Sequence, residues 1–232
     1  MRLTQYEFEH CVGAMFEMST ADARRILPAH LQPLEVQHSR SVFAVLAFRF
    51  TESEVGPYDE VVLSVVTPPR IQPGKTLPKA AFYPFMLATS TEAAREHAIE
   101  RWSLPHYMKN LDFSFEESDG QMTVSVEDEG APVLKLKVSQ HTFEPMVNPY
   151  HCFMTRGDDR LKVNIFMDAP HSQHEEETVP RGILRIPGAI IDNECIVKKL
   201  FVGGERHREF SHPEYFCLEY LGNAVYNMGD MI

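Results

Sequence analysis

The stretch Val55-Gly56-Pro57-Tyr58-Asp59-Glu60 lies between two strand-like runs and decides how this part of the chain folds. Before it, Ser41 to Phe50 is almost continuously apolar, which predicts a strand buried on both faces. After it, Val61 to Val66 is rich in β-branched residues and predicts a second buried strand. The glycine and proline between the runs indicate a tight turn. The stretch therefore predicts a turn between two buried strands, followed at once by a carboxylate, Glu60.

Alternating apolar and polar residues predict further strands. Met122, Val124 and Val126 alternate with polar residues, as do Leu134, Leu136 and Val138, and turn-forming residues fill the segment between them. This pattern predicts a hairpin of half-buried strands. The same alternation from Leu161 to Met167 follows the turn-forming residues Arg156 to Asp159 and predicts another hairpin.

Two helices are predicted among these strands. Thr20 caps a helix from Ala21 to Leu27, and Ser90 or Thr91 caps a second helix from Glu92 to Trp102. The chain is therefore expected to be a single α+β domain over residues 1–232, mainly of antiparallel strands. So many hairpins favour a closed β-barrel with a few flanking helices, because closure removes exposed strand edges.

Composition excludes several classes of function. The chain has 232 residues and a formal net charge of −11, so a basic surface for nucleic acid is not expected, and binding to anionic membranes is disfavoured. No apolar run reaches the roughly 20 residues that a spanning helix needs, and the N-terminus lacks a signal-peptide core. A cytoplasmic protein is the simplest interpretation.

His171 and His174 lie in a charged, loop-like stretch, so neither a metal site nor a cofactor is predicted.

The turn stretch and a second motif, Trp102-Ser103-Leu104-Pro105-His106-Tyr107, resemble the acetoacetate decarboxylase superfamily. The resemblance runs from about Tyr6 to Leu218 in the order of segments. It implies a cone-shaped β-barrel with an interior active site, an active-site glutamate at Glu60, and a homo-oligomer. The second motif departs from the family. Where the family has two lysines after the proline, the first of which forms a Schiff base, this chain has His106 and Tyr107.

That departure changes the chemistry that is expected. A Schiff base needs a neutral lysine amine, and an imidazole cannot replace it. Glu60 and His106 would instead make an acid/base pair that works at neutral pH, and Tyr107 would stabilise an enolate by donating a hydrogen bond. These residues predict a lyase or isomerase rather than a standard acetoacetate decarboxylase. The expected reactions on a keto acid or polyketide-like carbonyl compound are enolisation, dehydration, isomerisation, cyclisation or decarboxylation without an imine.

Two alternatives stay open at this point. Lys109, three residues beyond His106, would have to be buried with a depressed pKa to act as a Schiff-base lysine in a decarboxylase or aldolase-dehydratase, and a solvated lysine is the other interpretation. The chain would otherwise be a non-catalytic barrel that binds a small ligand. In that case, replacing Glu60 or His106 would change affinity and not turnover.

An apolar cavity is expected around these groups, with few charges. Arg49 is the predicted partner for a substrate carboxylate. The other predicted substrate-binding residues are aromatic or apolar, and they would also fit an ordinary core: Phe48, Tyr58, Tyr83, Met86 and Trp102.

Overall fold

The computed structural model describes residues 6–36, 38–70, 73, 80–139, 143–156, 159–172, 182–185, 194–197 and 199–202. Within these residues the chain forms twelve strands and two helices. The helices are α1 (Thr20–Ile26) and α2 (Glu92–Trp102). The strands are β1 (Glu7–Ser19), β2 (Arg40–Glu52), β3 (Tyr58–Thr67), β4 (Ala80–Thr89), β5 (Asp112–Ser118), β6 (Gln121–Asp128), β7 (Ala131–Ser139), β8 (Phe143–Arg156), β9 (Asp159–Ser172), β10 (Gly182–Arg185), β11 (Glu194–Val197) and β12 (Lys199–Val202).

Some predictions fall outside the described residues. These concern Gly157 and Asp158 of the predicted turn, His174, and Leu218 at the end of the resemblance. That residues 1–232 form a single domain stays a prediction. In the part of the chain that the structure covers, no helix combines the length and the apolar character needed to cross a membrane.

The strands form two sheets. One has seven strands in the order β12-β1-β2-β3-β4-β8-β9, and the other has five in the order β11-β10-β7-β6-β5. Neighbouring strands are antiparallel except for β4 and β8, which are parallel. The predicted α+β class with mainly antiparallel strands is therefore confirmed.

The predicted closed barrel is wrong for the strands that the structure describes. The seven-stranded sheet ends at β12 on one side and at β9 on the other, and these edge strands approach each other without pairing. Closure needs long edge strands in matching register. Here β12 is four residues long and pairs only with Val12 to Met15 of β1. Alternation along a strand predicts its two faces, but it carries no information on whether the two edges of a sheet meet.

The predicted local elements otherwise form. β2 pairs with β3 across the turn that contains Gly56, whose φ of 86° lies in the left-handed region that glycine adopts readily. α2 has its predicted bounds and is capped by Thr91, whose side chain accepts from the Ala94 N–H. α1 begins one residue earlier than predicted, because Ser19 accepts from the Asp22 N–H and is therefore the cap.

Both faces of strands β1 to β4 are buried, and each face has its own set of side chains. Odd-numbered residues of β2 and β3 point to one face, which packs against the five-stranded sheet, and even-numbered residues point to the other. We call the first the packing face, and its members include Val45, Val61, Leu63, Met86, Val124 and Leu136. We call the second the Glu60 face, and the residues around that carboxylate include Phe48, Phe50, Tyr58, Val62 and Leu87.

Candidate active site

Glu60 is the carboxylate of the site, and the pairing of β3 fixes its position. It stands directly opposite Phe48 of β2 and Thr89 of β4, half-buried. The Tyr58 hydroxyl donates a long hydrogen bond to Glu60 Oε2, at 3.5 Å. Burial raises the pKa of Glu60 to about 7, and the bond from Tyr58 opposes this only in part. A carboxyl group with that pKa takes up and releases protons at neutral pH, as general acid/base catalysis requires.

Three other acidic groups respond to the same surroundings. Burial, together with the charge of Glu60, raises the pKa of Tyr58 above its ordinary value and that of Cys152 to about 12. Burial raises the pKa of Tyr6 to about 12, although the hydrogen bond from Trp102 lowers it. The Glu60 face therefore disfavours the negatively charged form of all four groups, namely Glu60, Tyr58, Cys152 and Tyr6.

Trp102 contacts this face through Tyr6, which the sequence analysis did not single out as a site residue. Trp102 Nε1 donates to the Tyr6 hydroxyl at 2.9 Å, and that hydroxyl lies 2.9 Å from His97 Nε2. The Tyr6 ring packs on Phe50, with 5.3 Å between the ring centroids. Tyr6 and Trp102 come from opposite ends of a long stretch of chain, so no local pattern in the sequence pairs them.

A short bridge to β4 brings His106 to the Glu60 face. The Leu87 N–H donates to the Pro105 carbonyl at 3.0 Å, and the Tyr107 N–H donates to the Leu87 carbonyl at 2.7 Å. These two bonds pair His106 with Leu87 in parallel. Directly paired residues point their side chains to the same side of a sheet, and Leu87 lies on the Glu60 face. The His106 side chain is thus directed to that face, and the residue is 0% exposed.

The protonation of His106 follows from its hydrogen bond. Nδ1 lies 2.7 Å from the Tyr107 carbonyl oxygen, which can only accept, so Nδ1 carries the proton of the neutral ring. Burial lowers the pKa of His106 to about 4, the bond to Tyr107 opposes this, and the charge of Arg95 adds to it. The ring is therefore neutral at pH 7, with Nε2 as a bare acceptor.

That acceptor is unsatisfied. Nε2 of His106 is buried and finds no donor in the described part of the chain. A buried polar atom without a partner costs about 1–3 kcal/mol, so it is rare in a folded protein and calls for an explanation.

Glu60 and His106 lie on either side of β4 and do not pair directly. Glu60 stands opposite Thr89, and His106 stands opposite Leu87, two residues earlier on that strand. Standard strand spacings put their backbones about 10 Å apart across the sheet and about 7 Å apart along it. Glu60 and His106 Nε2 therefore form no direct hydrogen bond, and their action as an acid/base pair stays a prediction. Their spacing suits contact with two ends of one small ligand.

Arg49 points to the packing face and is fully engaged there. Its Nε and Nη2 donate to Asp59 Oδ1 and Oδ2 at 2.9 and 3.2 Å, and its guanidinium lies 4.6 Å from the centre of the Phe115 ring. This two-point ion pair joins directly opposed residues of β2 and β3. The predicted carboxylate-binding cation is therefore held on the opposite side of the sheet from Glu60.

Tyr83 and Met86, predicted as lining residues, also lie on the packing face. They stand opposite Val65 and Leu63 of β3. Phe85 is an extra residue in β4, since Pro84 and Met86 oppose consecutive residues of β3 across a bulge. β4 is mostly apolar, so alternation does not reveal this change of phase, but Pro84 beside the bulge is a sequence signal for it, because proline within a sheet is confined to edges and bulges.

Tyr107 and Lys109 are directed away from the Glu60 face and share one partner. The Tyr107 hydroxyl donates to Asp128 Oδ2 at 3.1 Å, and Lys109 Nζ donates to both oxygens of Asp128 at 3.1 and 3.4 Å. The Lys109 side chain is 52% exposed, and the bond to Asp128 raises its pKa. A Schiff-base lysine needs the opposite, namely burial and a depressed pKa. Asp128 instead anchors the segment that carries His106.

Side chains that bind metals come in groups of three or four. Among the residues that the structure describes, no group of three or more His, Cys, Asp or Glu side chains is arranged to hold a metal ion.

Comparison with known proteins identifies the fold. No protein family model and no curated protein matches the chain. An acetoacetate decarboxylase of solved structure is 11% identical, with 91% of this chain and 78% of that chain covered and a TM-score of 0.49. The enduracididine biosynthesis enzyme MppR, complexed with pyruvate, is 10% identical, with 79% and 77% covered and a TM-score of 0.47. The acetoacetate decarboxylase of Legionella pneumophila is 12% identical, with 90% and 87% covered and a TM-score of 0.54. On this last likeness the chain has the acetoacetate decarboxylase fold, as its two motifs implied.

Proposed function

We propose that the chain is a small-molecule enzyme that transfers protons beside a carbonyl group, with Glu60 as both acid and base. The observation that carries the proposal is a half-buried carboxyl group held among the rings of Phe48 and Tyr58, where burial raises its pKa to about 7. The proposed substrate is a keto acid or a polyketide-like carbonyl compound. The Legionella neighbour is a decarboxylase of a β-keto acid, so a carbonyl substrate agrees with a function known on this fold.

The proposed cycle uses Glu60 alone for proton transfer. The ionised carboxylate takes a proton from the carbon beside the carbonyl group and then returns it to oxygen or to another carbon. Tyr58 can stay bonded to Oε2 throughout, which holds the carboxylate in place. The aromatic ring of Phe48 lies directly opposite and keeps the carboxylate poorly hydrated, so its basicity is retained. The product is an enol or an isomer when the proton returns to oxygen or to another carbon, and an elimination product when the proton goes to a hydroxyl group on the neighbouring carbon, which leaves as water.

We assign a binding role to His106 instead of the predicted acid/base role. Its Nε2 carries no proton, so it cannot donate to a carbonyl oxygen, and a pKa of about 4 keeps it neutral in the working range. It can accept a hydrogen bond from a substrate hydroxyl or N–H group and so orient that end of the substrate relative to Glu60.

The surroundings of Lys109 disfavour the Schiff-base alternative. An exposed ammonium whose pKa is raised by Asp128 is protonated at pH 7, and a protonated amine cannot attack a ketone. Imine-free proton transfer at Glu60 is therefore the reaction that the described geometry supports best.

The test follows exchange of protons beside the carbonyl group in D₂O by NMR, with β-keto acids, α-keto acids and uncharged ketones. The proteins are the wild type, Glu60→Gln and the control Glu52→Gln, whose carboxylate is exposed at the end of β2. Glu60→Gln should lower the exchange rate by about 10²–10⁴-fold, and the control should not. Because the ionised form is the base, wild-type kcat/KM should rise with pH and level off above about 7.

Each contrary result has a distinct meaning. Exchange that survives Glu60→Gln contradicts the role of Glu60. Ligand binding without exchange for every compound would make the chain a non-catalytic binding protein instead.

A further inference from the structure

We infer that the ligand of the Glu60 face is an uncharged carbonyl compound with a hydroxyl or N–H group, which it donates to His106 Nε2. The inference rests on the proposed function, because it takes the Glu60 face as the substrate site. It narrows the substrate class from keto acids and polyketide-like compounds to the neutral, hydrogen-bond-donating members of the second group.

The need for a donor comes from His106. Its Nδ1–H is used by the Tyr107 carbonyl at 2.7 Å, so Nε2 can only accept. Nε2 is shielded from solvent and has no donor among the described residues. Bulk water therefore does not satisfy it, and a ligand donor gains a hydrogen bond that the free protein lacks. A ligand of the same shape without the donor gains nothing at this atom.

The preference for an uncharged ligand comes from the same face. Glu60 would repel a carboxylate placed beside it once both are ionised. Arg49, the cation predicted to bind a carboxylate, points to the packing face and is held by Asp59 at two points. The raised pKa values of Tyr6, Tyr58 and Cys152 agree that negative charge is disfavoured on this face.

The body of the ligand should be apolar and flat. Phe48 and Phe50 are stacked with 5.1 Å between ring centroids and 8° between ring planes, and Tyr58 packs on Phe50 at 4.9 Å. These rings are largely buried against each other and against Tyr6 and Phe8, so the small surface that they leave to a ligand is aromatic and favours an aryl or conjugated group. A small keto acid such as pyruvate offers no such surface.

The experiment measures the binding of three related probes to the full chain. They are 4-hydroxy-4-phenylbutan-2-one, its deoxy analogue 4-phenylbutan-2-one, and the keto acid 3-oxo-5-phenylpentanoate. Trp102 is the single tryptophan and bonds to Tyr6 at the edge of the site, so its fluorescence reports binding. The hydroxy ketone should bind about tenfold or more tightly than the deoxy ketone, as one added hydrogen bond allows, and the keto acid should bind more weakly than the hydroxy ketone.

The variant His106→Leu removes the acceptor, and the matched control His38→Leu changes an exposed histidine. The preference for the hydroxyl group should disappear in His106→Leu and persist in His38→Leu.

An NMR measurement tests the same contact without a variant. In wild-type protein labelled with [¹⁵N]histidine, the Nε2 signal of His106 should move towards that of a hydrogen-bonded acceptor with the hydroxy ketone and not with the deoxy ketone.

Three results would overturn the inference. The first is a hydroxyl preference that survives His106→Leu together with an unmoved His106 signal. The second is tight binding of the keto acid, which would point to a cation such as Arg101, stacked 4.3 Å from the Trp102 ring, as a carboxylate partner. The third is no binding of any probe up to its solubility. Since Trp102 fluorescence reports binding whether or not the probe reacts, a hydroxyl preference in a protein that fails the exchange test would refute the proposed catalysis and leave this inference intact.

Discussion

Asp59 and Glu60 are consecutive carboxylates on β3, yet they lie on opposite faces of the same sheet and differ in almost every contact. Asp59 accepts two hydrogen bonds from Arg49, at 2.9 and 3.2 Å. Glu60 accepts one from Tyr58, at 3.5 Å, and its pKa is raised to about 7. The alternation of a strand thus places a carboxylate held by an ion pair and a carboxyl group with a raised pKa side by side in the sequence.

The pair His106 and Tyr107 repeats this contrast. The Tyr107 hydroxyl is bonded to Asp128 on the side of the packing face, whereas His106 keeps a bare, buried nitrogen on the Glu60 face. Arg49, Asp59 and Tyr107 are hydrogen-bonded on the side of the packing face, whereas His106 Nε2 on the Glu60 face has no partner among the described residues. Incomplete polar contacts in an apolar setting are what a ligand site needs, and the packing face supplies the stability that tolerates them.

The largest expected effect concerns stability and the packing face. Phe43 is 1% exposed and packs between Phe16 and Phe85 at 6.1 Å from each ring. Phe43→Ala should lower the free energy of unfolding by about 3–5 kcal/mol, because it leaves a cavity in the core. Urea unfolding checks this value. Val36→Ala, at a residue that is 57% exposed, is the control and should stay within about 0.5 kcal/mol of wild type. A small effect at Phe43 would mean that the packing face is not the main core.

The second largest effect is an increase in the free energy of unfolding, and it concerns Glu60. The pKa of Glu60 is about 7 in the folded protein, against an ordinary value of 4.5, so the unfolded chain releases this proton first as pH rises. Wild-type stability should therefore fall between about pH 4.5 and 7, and Glu60→Gln should be more stable by up to roughly 3 kcal/mol at pH 8. The gain should vanish below about pH 4.5. Urea unfolding at several pH values measures it, with Glu52→Gln as the control. A gain that does not change with pH would refute the raised pKa.

A smaller effect tests the anchor beside His106. Tyr107→Phe removes the hydrogen bond to Asp128 and should cost about 1 kcal/mol of unfolding free energy. The backbone bonds of residue 107 to His106 and Leu87 remain, so the ¹⁵N signals of His106 should still show a proton on Nδ1. A change of that tautomer in the variant would mean that the Tyr107 hydroxyl controls His106 directly.

The smallest effect is expected at Lys109. Lys109→Met removes an exposed ammonium that bonds only to Asp128 in the described structure, so carbonyl exchange should be unchanged within error. Mass spectrometry after incubation with keto acids and borohydride should show no adduct on the wild-type protein, beside an acetoacetate decarboxylase that does label. An adduct mapped to Lys109 would place the chemistry at Lys109 and not on the Glu60 face, and it would restore the Schiff-base alternative.

Sequence patterns predicted the elements well because each depends on neighbours along the chain. Alternation marked β6 and β7, Gly56 marked the turn, and Thr91 marked the start of α2. Glu60 and His106 were found through two short motifs, and the structure directs both side chains to one face. Their functional roles stay predictions until the variants are measured.

The rest depended on long-range contacts that no local pattern encodes. Arg49 was predicted to face the substrate, but its partner Asp59 was not identified, and strand parity places both on the packing face. Tyr6 was missed as a site residue because its partner, Trp102, is 96 residues away. Closure of the barrel was predicted from the number of strands, whereas it depends on the length and register of the edge strands.

The extra residue in β4 has a consequence for how relatives of this chain should be aligned. Pro84 and Met86 oppose consecutive residues of β3, so the loss of Phe85 would restore a regular strand without turning Leu87 to the other side. His106, which is paired with Leu87, would keep its direction. Loss of this one residue would cost the core packing of Phe85 on Phe43 and leave the direction of the residues around it unchanged. A gap at Phe85 in an alignment would therefore not by itself mean that Glu60 and His106 have lost their common face.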